Sequence, residues 1–121
     1  MASEAHAVSF EDVTRAAARI AGLVHVTPTL TCCGLSALAS AAAGRPIELY
    51  LKCELFQRSG SFKMRGATNA VAQLPAGVPV CTHSSGNHAQ ALALAARQAG
   101  RAAHIVMPST SPASKRAATE G

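Results

Sequence analysis

Val78-Pro79-Val80-Cys81-Thr82-His83-Ser84-Ser85-Gly86-Asn87-His88-Ala89-Gln90-Ala91-Leu92-Ala93-Leu94-Ala95-Ala96-Arg97-Gln98-Ala99-Gly100-Arg101-Ala102-Ala103-His104-Ile105-Val106-Met107 reads as strand, turn, helix and strand. Val78–Thr82 is a short apolar run suited to a buried strand. Asn87–Ala99 has helical spacing and stops at Gly100, and Ala102–Met107 is extended again. A helix of this length between two strands implies a βαβ crossover, which makes the strands parallel.

The alternation continues toward both ends. Ser9 and Asp12 resemble a capping box that opens a helix over Phe10–Ala21, ending at Gly22. Val24–Leu30 reads as extended around Thr27-Pro28, and Gly34–Ala43 as a second helix closed by Gly44 and Arg45-Pro46. Ile47–Cys53 alternates like a strand, with Ile47, Leu49 and Leu51 on one face and Glu48, Tyr50 and Lys52 on the other. A loop over Gln57–Ser61 leads to a helix over Phe62–Leu74, and Pro112 suits the first turn of a helix reaching Ala118. The pattern predicts an α/β fold of parallel-sheet βαβ units with an open sheet edge at its end. This is the expectation for the front part of a larger α/β protein.

The chain has 121 residues, enough for one modest domain, and its 49% hydrophobic content can bury a core. Aromatics are only 3%, so the core must be built from Ala, Val, Leu and Ile. Eleven basic against six acidic residues give +5, with the charges scattered and few aromatics for stacking. That balance argues against nucleic-acid binding and suits a cleft that attracts phosphates and carboxylates. Cys32, Cys33, Cys53 and Cys81 lack metal-ligand spacing, and no metal site is expected from the residues present. Free thiols, no membrane-length apolar run and a Met1-Ala2-Ser3-Glu4 start unlike a transit peptide lead to the expectation of a soluble, cytoplasmic protein.

Two segments carry the chemistry. Lys63 is one of three lysines and lies in Ser59-Gly60-Ser61-Phe62-Lys63-Met64-Arg65-Gly66-Ala67, where a helix is expected to begin. A helix N-terminus, the charge of Arg65 and burial against Phe62 would all favour the neutral amine that imine chemistry with a carbonyl needs. The competing reading is a solvated lysine on an exposed turn. The second segment, His83-Ser84-Ser85-Gly86-Asn87-His88, follows a strand and opens a helix, which is where α/β sheets seat anionic ligands. Ser84 or Ser85 could instead simply cap the helix, but one serine suffices for that. His83 and His88 have poor spacing for a shared metal, and structural or hydrogen-bonding roles are expected of them, while His25 and His104 have no partner pattern and satisfied packing roles are expected. The single aspartate, Asp12, is remote from the serines, so no Ser-His-Asp triad is expected.

Lys52–Ala67 and Thr82–Leu92 together resemble the fold-type II pyridoxal-phosphate enzymes (tryptophan synthase β-like), and most nearly the serine racemase and serine/threonine dehydratase group. The resemblance runs from about Ser9 to the last residue. It implies that 1–52 starts the large domain and that about 53–121 forms part of the small one. Lys63 matches the lysine that bonds pyridoxal phosphate covalently and moves protons on one face of the substrate. Phe62 matches the aromatic near the cofactor, and Asn87 the asparagine that hydrogen-bonds the cofactor's phenolic oxygen. Ser84, Ser85, Gly86, Asn87 and His88 match the loop that receives the substrate carboxylate. Ser85 matches the acid or base that racemases use on the opposite face.

Both family reactions begin with removal of the α-proton. Elimination of water then needs a proton donor for the leaving hydroxyl, whereas racemisation must return a proton to the other face. Ser85 supplies that second group, where many dehydratases have alanine. Ala89-Gln90 leans the other way, since racemases often carry glycine before that glutamine. The resemblance therefore implies a serine racemase with accompanying serine/threonine dehydratase activity, a threonine/serine ammonia-lyase being the alternative. Small amino acids are the implied substrates, and family members are usually homodimers.

In the family, the glycine-rich phosphate loop, the residue facing the pyridine nitrogen and the acidic ligands of a divalent cation (Mg or Ca) fall beyond residue 121. The expectation is little or no catalysis by 121 residues alone. A truncated interaction module, or a domain that binds a carboxylate or phosphate without chemistry, are the non-enzymatic readings. Cys32, Cys33, Arg58 and Gln90 occupy positions that bind a nucleotide effector in some animal racemases, with cysteines where hydroxyl residues are usual.

Overall fold

At the centre of the computed structural model, which describes residues 7–120, lies the expected crossover. Strands β3 (Val80–His83) and β4 (Ala103–Val106) pair in parallel, with Val80 opposite Ala103 and His83 opposite Val106. Helix α4 (Asn87–Gln98) connects them. It closes through Gly100, at φ +63°, whose N–H donates to Arg97 O while Arg101 N–H reaches Ala96 O. This pair of hydrogen bonds to the last turn needs a left-handed residue, a conformation that glycine supplies at no steric cost. The Arg101 guanidinium then donates to Leu74 O, Pro75 O and Val78 O, tying the preceding loop to the end of α4.

Helix α3 (Lys63–Val71) packs against α4. Met64, Ala67 and Val71 of α3 join Val80 and Ala91, Leu92, Ala95 and Ala96 of α4 in one core. Alanines at half of these positions leave room for close approach, so the core is thin and its one large, fully buried side chain is Met64, at 0% exposure. Met64→Ala should therefore cost about 2–5 kcal/mol. A thermal melt would show this as a Tm lowered by at least about 6 °C. An unchanged Tm would mean that α3 does not share this core.

Helix α1 (Phe10–Ile20) opens on the expected capping box: Ser9 Oγ accepts from Asp12 N–H, and Ser9 N–H donates to the Asp12 carboxylate. These bonds, with Arg15 beside them, hold the Asp12 carboxyl well below its usual range. Ile20 is the buried residue of α1, which rests on α3, where Arg19 donates to Asn69.

The N-terminal strands depart from the sequence reading. Strands β1 (Thr29–Thr31) and β2 (Tyr50–Lys52) are antiparallel, with Leu30 opposite Leu51, although α2 (Cys33–Ala43) lies between them. Reach explains this. An 11-residue helix carries the chain about 16 Å outward. The extended return from Gly44 to Leu49, of about 20 Å, brings it back to where β1 ended. β2 is also shorter than the expected Ile47–Cys53, because the N–H groups of Ile47 and Leu49 donate to Ser40 Oγ (2.9 Å) and Ser36 Oγ (3.0 Å) instead of to a strand. Ser36→Ala and Ser40→Ala should each cost about 0.5–1.5 kcal/mol. The Leu49 and Ile47 amides, respectively, should then exchange faster with deuterium.

Helix α5 (Ala113–Glu120) starts just after Pro112, whose carbonyl accepts from the Lys115 and Arg116 N–H groups, so the proline precedes the first turn instead of lying in it. All four cysteines are free, as the sequence suggested. Among the described residues no helix is long and apolar enough to cross a membrane. The Met1–Glu4 segment, read as unlike a transit peptide, lies outside the described residues.

Candidate active site

Lys63 is the first residue of α3, following Phe62 at the N-cap, as expected. Its setting differs from the sequence reading in two respects. Lys63 and Phe62 are both exposed, so Lys63 is not buried against the ring; its Nζ lies 5.0 Å from the centroid of the Phe62 ring. Arg65 is also turned away from it. The Arg65 guanidinium grips Glu54 through Nε at 2.9 Å and Nη2 at 2.6 Å, so its charge is spent on a carboxylate. The amine of Lys63 is thus accessible and free of hydrogen bonds among the described residues.

The partners of Arg65 form a network that the sequence did not disclose. Thr27, buried, donates Oγ1–H to Glu54 Oε1 at 2.6 Å and accepts from Arg65 at 3.2 Å. Gln57, also buried, accepts from His25 N–H and returns a bond to His25 O, while Lys52 Nζ donates to Thr27 O. The network clamps 25–28 and 52–58 onto the first turn of α3 and so fixes the base of Lys63. A lone glutamate eleven positions before an arginine across a turn fits no helical or strand spacing, which is why it escaped notice.

The Arg65 hydrogen bonds hold the Glu54 carboxyl at about 2, with help from the Thr27 hydroxyl. The folded-state value is below the unfolded one, so this contribution is complete above about pH 4.5 and is lost as pH falls toward 2. Melts across that window should show the loss. Glu54→Gln should cost about 1–3 kcal/mol at neutral pH and flatten this acid limb; an unchanged limb would place the acid sensitivity elsewhere.

The serine-rich turn sits where β3 hands over to α4. Ser84 N–H donates to Val106 O at 3.1 Å, which continues the sheet ladder and pins the turn to its end. Gly86, not a serine, is the N-cap of α4, and no side chain caps that helix. Ser84 Oγ accepts from Gly86 N–H at 3.3 Å, whereas the half-buried Ser85 hydroxyl takes part in no hydrogen bond among the described residues. The capping explanation for the serines therefore fails, and the first N–H groups of α4 are left without a side-chain acceptor. Asn87 and His88, at the start of the helix, are exposed. Among the described residues His83, His88 and His104 are exposed and make no side-chain hydrogen bonds, so His83 and His88 are not hydrogen-bonding residues and His104 is not packed, while His25 Nδ1 lies 3.0 Å from Phe56 O.

The two segments are joined through the α3–α4 core, and no direct hydrogen bond links Lys63 or Phe62 to Ser84–His88 among the described residues. The Ser59 and Ser61 hydroxyls, just before Lys63, are buried without a partner among the described residues. Orphan hydroxyls, an accessible amine and an uncapped helix N-terminus fit an aldehyde cofactor and an anionic substrate group. Among the described residues no group of three or more His, Cys, Asp or Glu is placed to hold a metal ion.

A comparison with protein families matches residues 8–121 to the pyridoxal-phosphate dependent enzymes, and the chain belongs to that family. It is 46% identical to serine racemase of Mus musculus, over 95% of this chain and 34% of that protein. It is 47% identical to L-threo-3-hydroxyaspartate ammonia-lyase of a Pseudomonas species, over 92% of this chain and 34% of that one. The crystal structure of a pyridoxal 5'-phosphate-dependent aspartate racemase superposes with a TM-score of 0.84 at 38% identity, covering 98% of this chain and 36% of that one. The chain thus spans about a third of the length of the curated relatives it matches.

Proposed function

We propose that this chain provides the lysine-bearing and carboxylate-binding part of a pyridoxal-phosphate-dependent serine racemase with accompanying serine/threonine dehydratase activity. The observation that carries the reading is the uncommitted Ser85 hydroxyl, half-buried in the turn before an uncapped helix, in a chain whose accessible Lys63 opens the neighbouring helix. When bound, the cofactor supplies an electron sink for the pair left by α-proton loss. Lys63 Nζ would bond the cofactor and hold a proton on one face of the substrate. Phe62 would lie beside the cofactor, and Asn87 would help to hold it through its side-chain amide. The backbone N–H groups at Gly86–His88, with Ser84, orient the substrate carboxylate. Ser85 Oγ holds the proton of the opposite face. Small amino acids, serine foremost, are the substrates of this reading, and a homodimer in the cytoplasm is its setting.

Ammonia-lyase chemistry alone is the second reading, favoured by the similarity to the Pseudomonas lyase. A chimera in which this chain replaces the matching third of mouse serine racemase tests both. The proposal expects interconversion of L- and D-serine together with keto-acid release. A folded chimera that releases keto acid without forming D-serine would support the lyase, and one with neither activity would overturn the assignment.

A further inference from the structure

The adjacent thiols of Cys32 and Cys33 have no part in the core, the clamp or the candidate active site. Cys32 directly follows β1, has extended backbone at φ −140° and ψ 104°, and is the N-cap of α2; Cys33 is the first helical residue. Both are free, Cys33 exposed and Cys32 half-buried. Neither thiol takes part in a hydrogen bond among the described residues, and Cys32 does not cap its helix. The other two cysteines stand apart. Cys53 is 9% exposed and donates its S–H to Leu51 O. It continues the strand pairing opposite Pro28, about 13 Å along the ribbon from Cys32. Cys81 lies on β3, in the other sheet.

Spacing decides what two neighbouring thiols can bond. Adjacent Cα atoms are about 3.8 Å apart, closer than the roughly 4.4–6.8 Å that relaxed disulfides span. A direct disulfide here would be strained and readily reduced. An inserted atom that bonds both sulfurs enlarges the ring and relieves that strain. Zinc does not suit the place, because structural zinc takes four protein ligands and no third His, Cys, Asp or Glu joins this pair among the described residues. Trivalent arsenic that carries one carbon substituent needs only two sulfurs to complete its three bonds. It is also soft, as thiolates are.

We propose that Cys32 and Cys33 form a dithiol site that captures trivalent organoarsenicals as a cyclic dithioarsenite. The step is a condensation without electron transfer. Two As–S bonds form as the two As–OH bonds of an arsonous acid break. Each S–H proton leaves with a hydroxide as water, and arsenic stays trivalent. Cys33, the more exposed thiol, bonds first, and Cys32 closes the ring as an intramolecular step. Cys32 O accepts Ser36 N–H at 2.9 Å, so the backbone that carries both thiols is fixed before the ligand arrives. The site is independent of the roles given to Lys63 and Ser85.

Phenylarsine oxide, which hydrates to an arsonous acid, is the probe. Titrated into the reduced chain and followed by intact mass, it should give one adduct that survives excess monothiol and is removed by a dithiol. Cys32→Ser and Cys33→Ser should each weaken capture at least about a hundredfold, the loss of the ring-closing step. Cys53→Ser and Cys81→Ser, remote from the pair, should leave it within about threefold. In the chimera with mouse serine racemase, the double variant Cys32→Ser, Cys33→Ser should carry one adduct fewer than its parent, a readout that does not require the 121 residues to fold alone. An adduct that persists in either single variant, that needs Cys53 or Cys81, or that a monothiol removes as fast as a dithiol would overturn the proposal. So would equal adduct counts in the chimera and its double variant.

Discussion

Lys63→Ala in the chimera should abolish serine racemisation and elimination together, each by about 10⁴-fold or more. The two losses should be equal because both reactions require the same cofactor bond and the same α-proton. The variant should fold normally. Lys63 begins α3 with its side chain exposed, and the core begins one residue later at Met64. Lys63→Arg keeps the positive charge and the contact with Phe62 but lacks a primary amine, and should be as inactive as alanine. Recovery of activity in the arginine variant would show that Lys63 acts only as a cation. The comparison therefore separates a covalent role from the solvated-lysine reading, which the exposure of the side chain alone does not do.

Ser85→Ala should separate the two activities. Racemisation should fall by about 10²–10⁴-fold, the usual worth of a positioned acid or base, while elimination stays within about tenfold. The structural basis is the difference between the neighbouring serines. Ser84 Oγ already accepts from Gly86 N–H, whereas Ser85 Oγ takes part in no hydrogen bond among the described residues, which suits the proton-exchanging role proposed for it. Ser84→Ala should accordingly affect both activities alike, by disturbing the carboxylate seat. Equal losses from Ser85→Ala in D-serine and keto-acid formation would contradict a two-face arrangement and return Ser85 to carboxylate binding.

The elements that carry these groups were legible because their signals are local. The capping box of α1, the glycines ending α2 and α4, and the β3–α4–β4 crossover follow from residue type and spacing over a few turns. Two features were not legible, and both depend on contacts between distant residues. The antiparallel pairing of β1 and β2 follows from the extended return after α2, and the Ser36 and Ser40 hydroxyls, which capture the amides of that segment, set where β2 begins; no periodicity reports either. The setting of Lys63 was misread for the same reason. Arg65 looks like a neighbouring charge in sequence, but folding brings Glu54 and Thr27 to it and turns it away. The serine turn fared better: its position at a strand end was correct, and the structure removed capping as the explanation for both serines.

The clamp around Glu54 and Arg65 holds the start of α3 without a hydrogen bond to Lys63 or Ser85 among the described residues. It joins three stretches, 25–28, 52–58 and the start of α3, and so couples the N-terminal strands to the lysine. Such a network is costly to break in part and rigidifying when complete. Lys63 is thereby held at its backbone and free of hydrogen bonds at its amine among the described residues, the combination that the proposed cofactor-bonding role requires.

Reductive trapping on the chain itself tests the central claim most directly. Incubation with pyridoxal phosphate, reduction with borohydride and peptide mapping would show where the cofactor joins the protein. Lys52, whose ammonium is held by Thr27 O, and Lys115 serve as internal controls within the same molecule. The account predicts that the adduct lies on Lys63 well above either control and is lost in Lys63→Ala. An adduct spread evenly over the three lysines, or one that persists in Lys63→Ala, would contradict it.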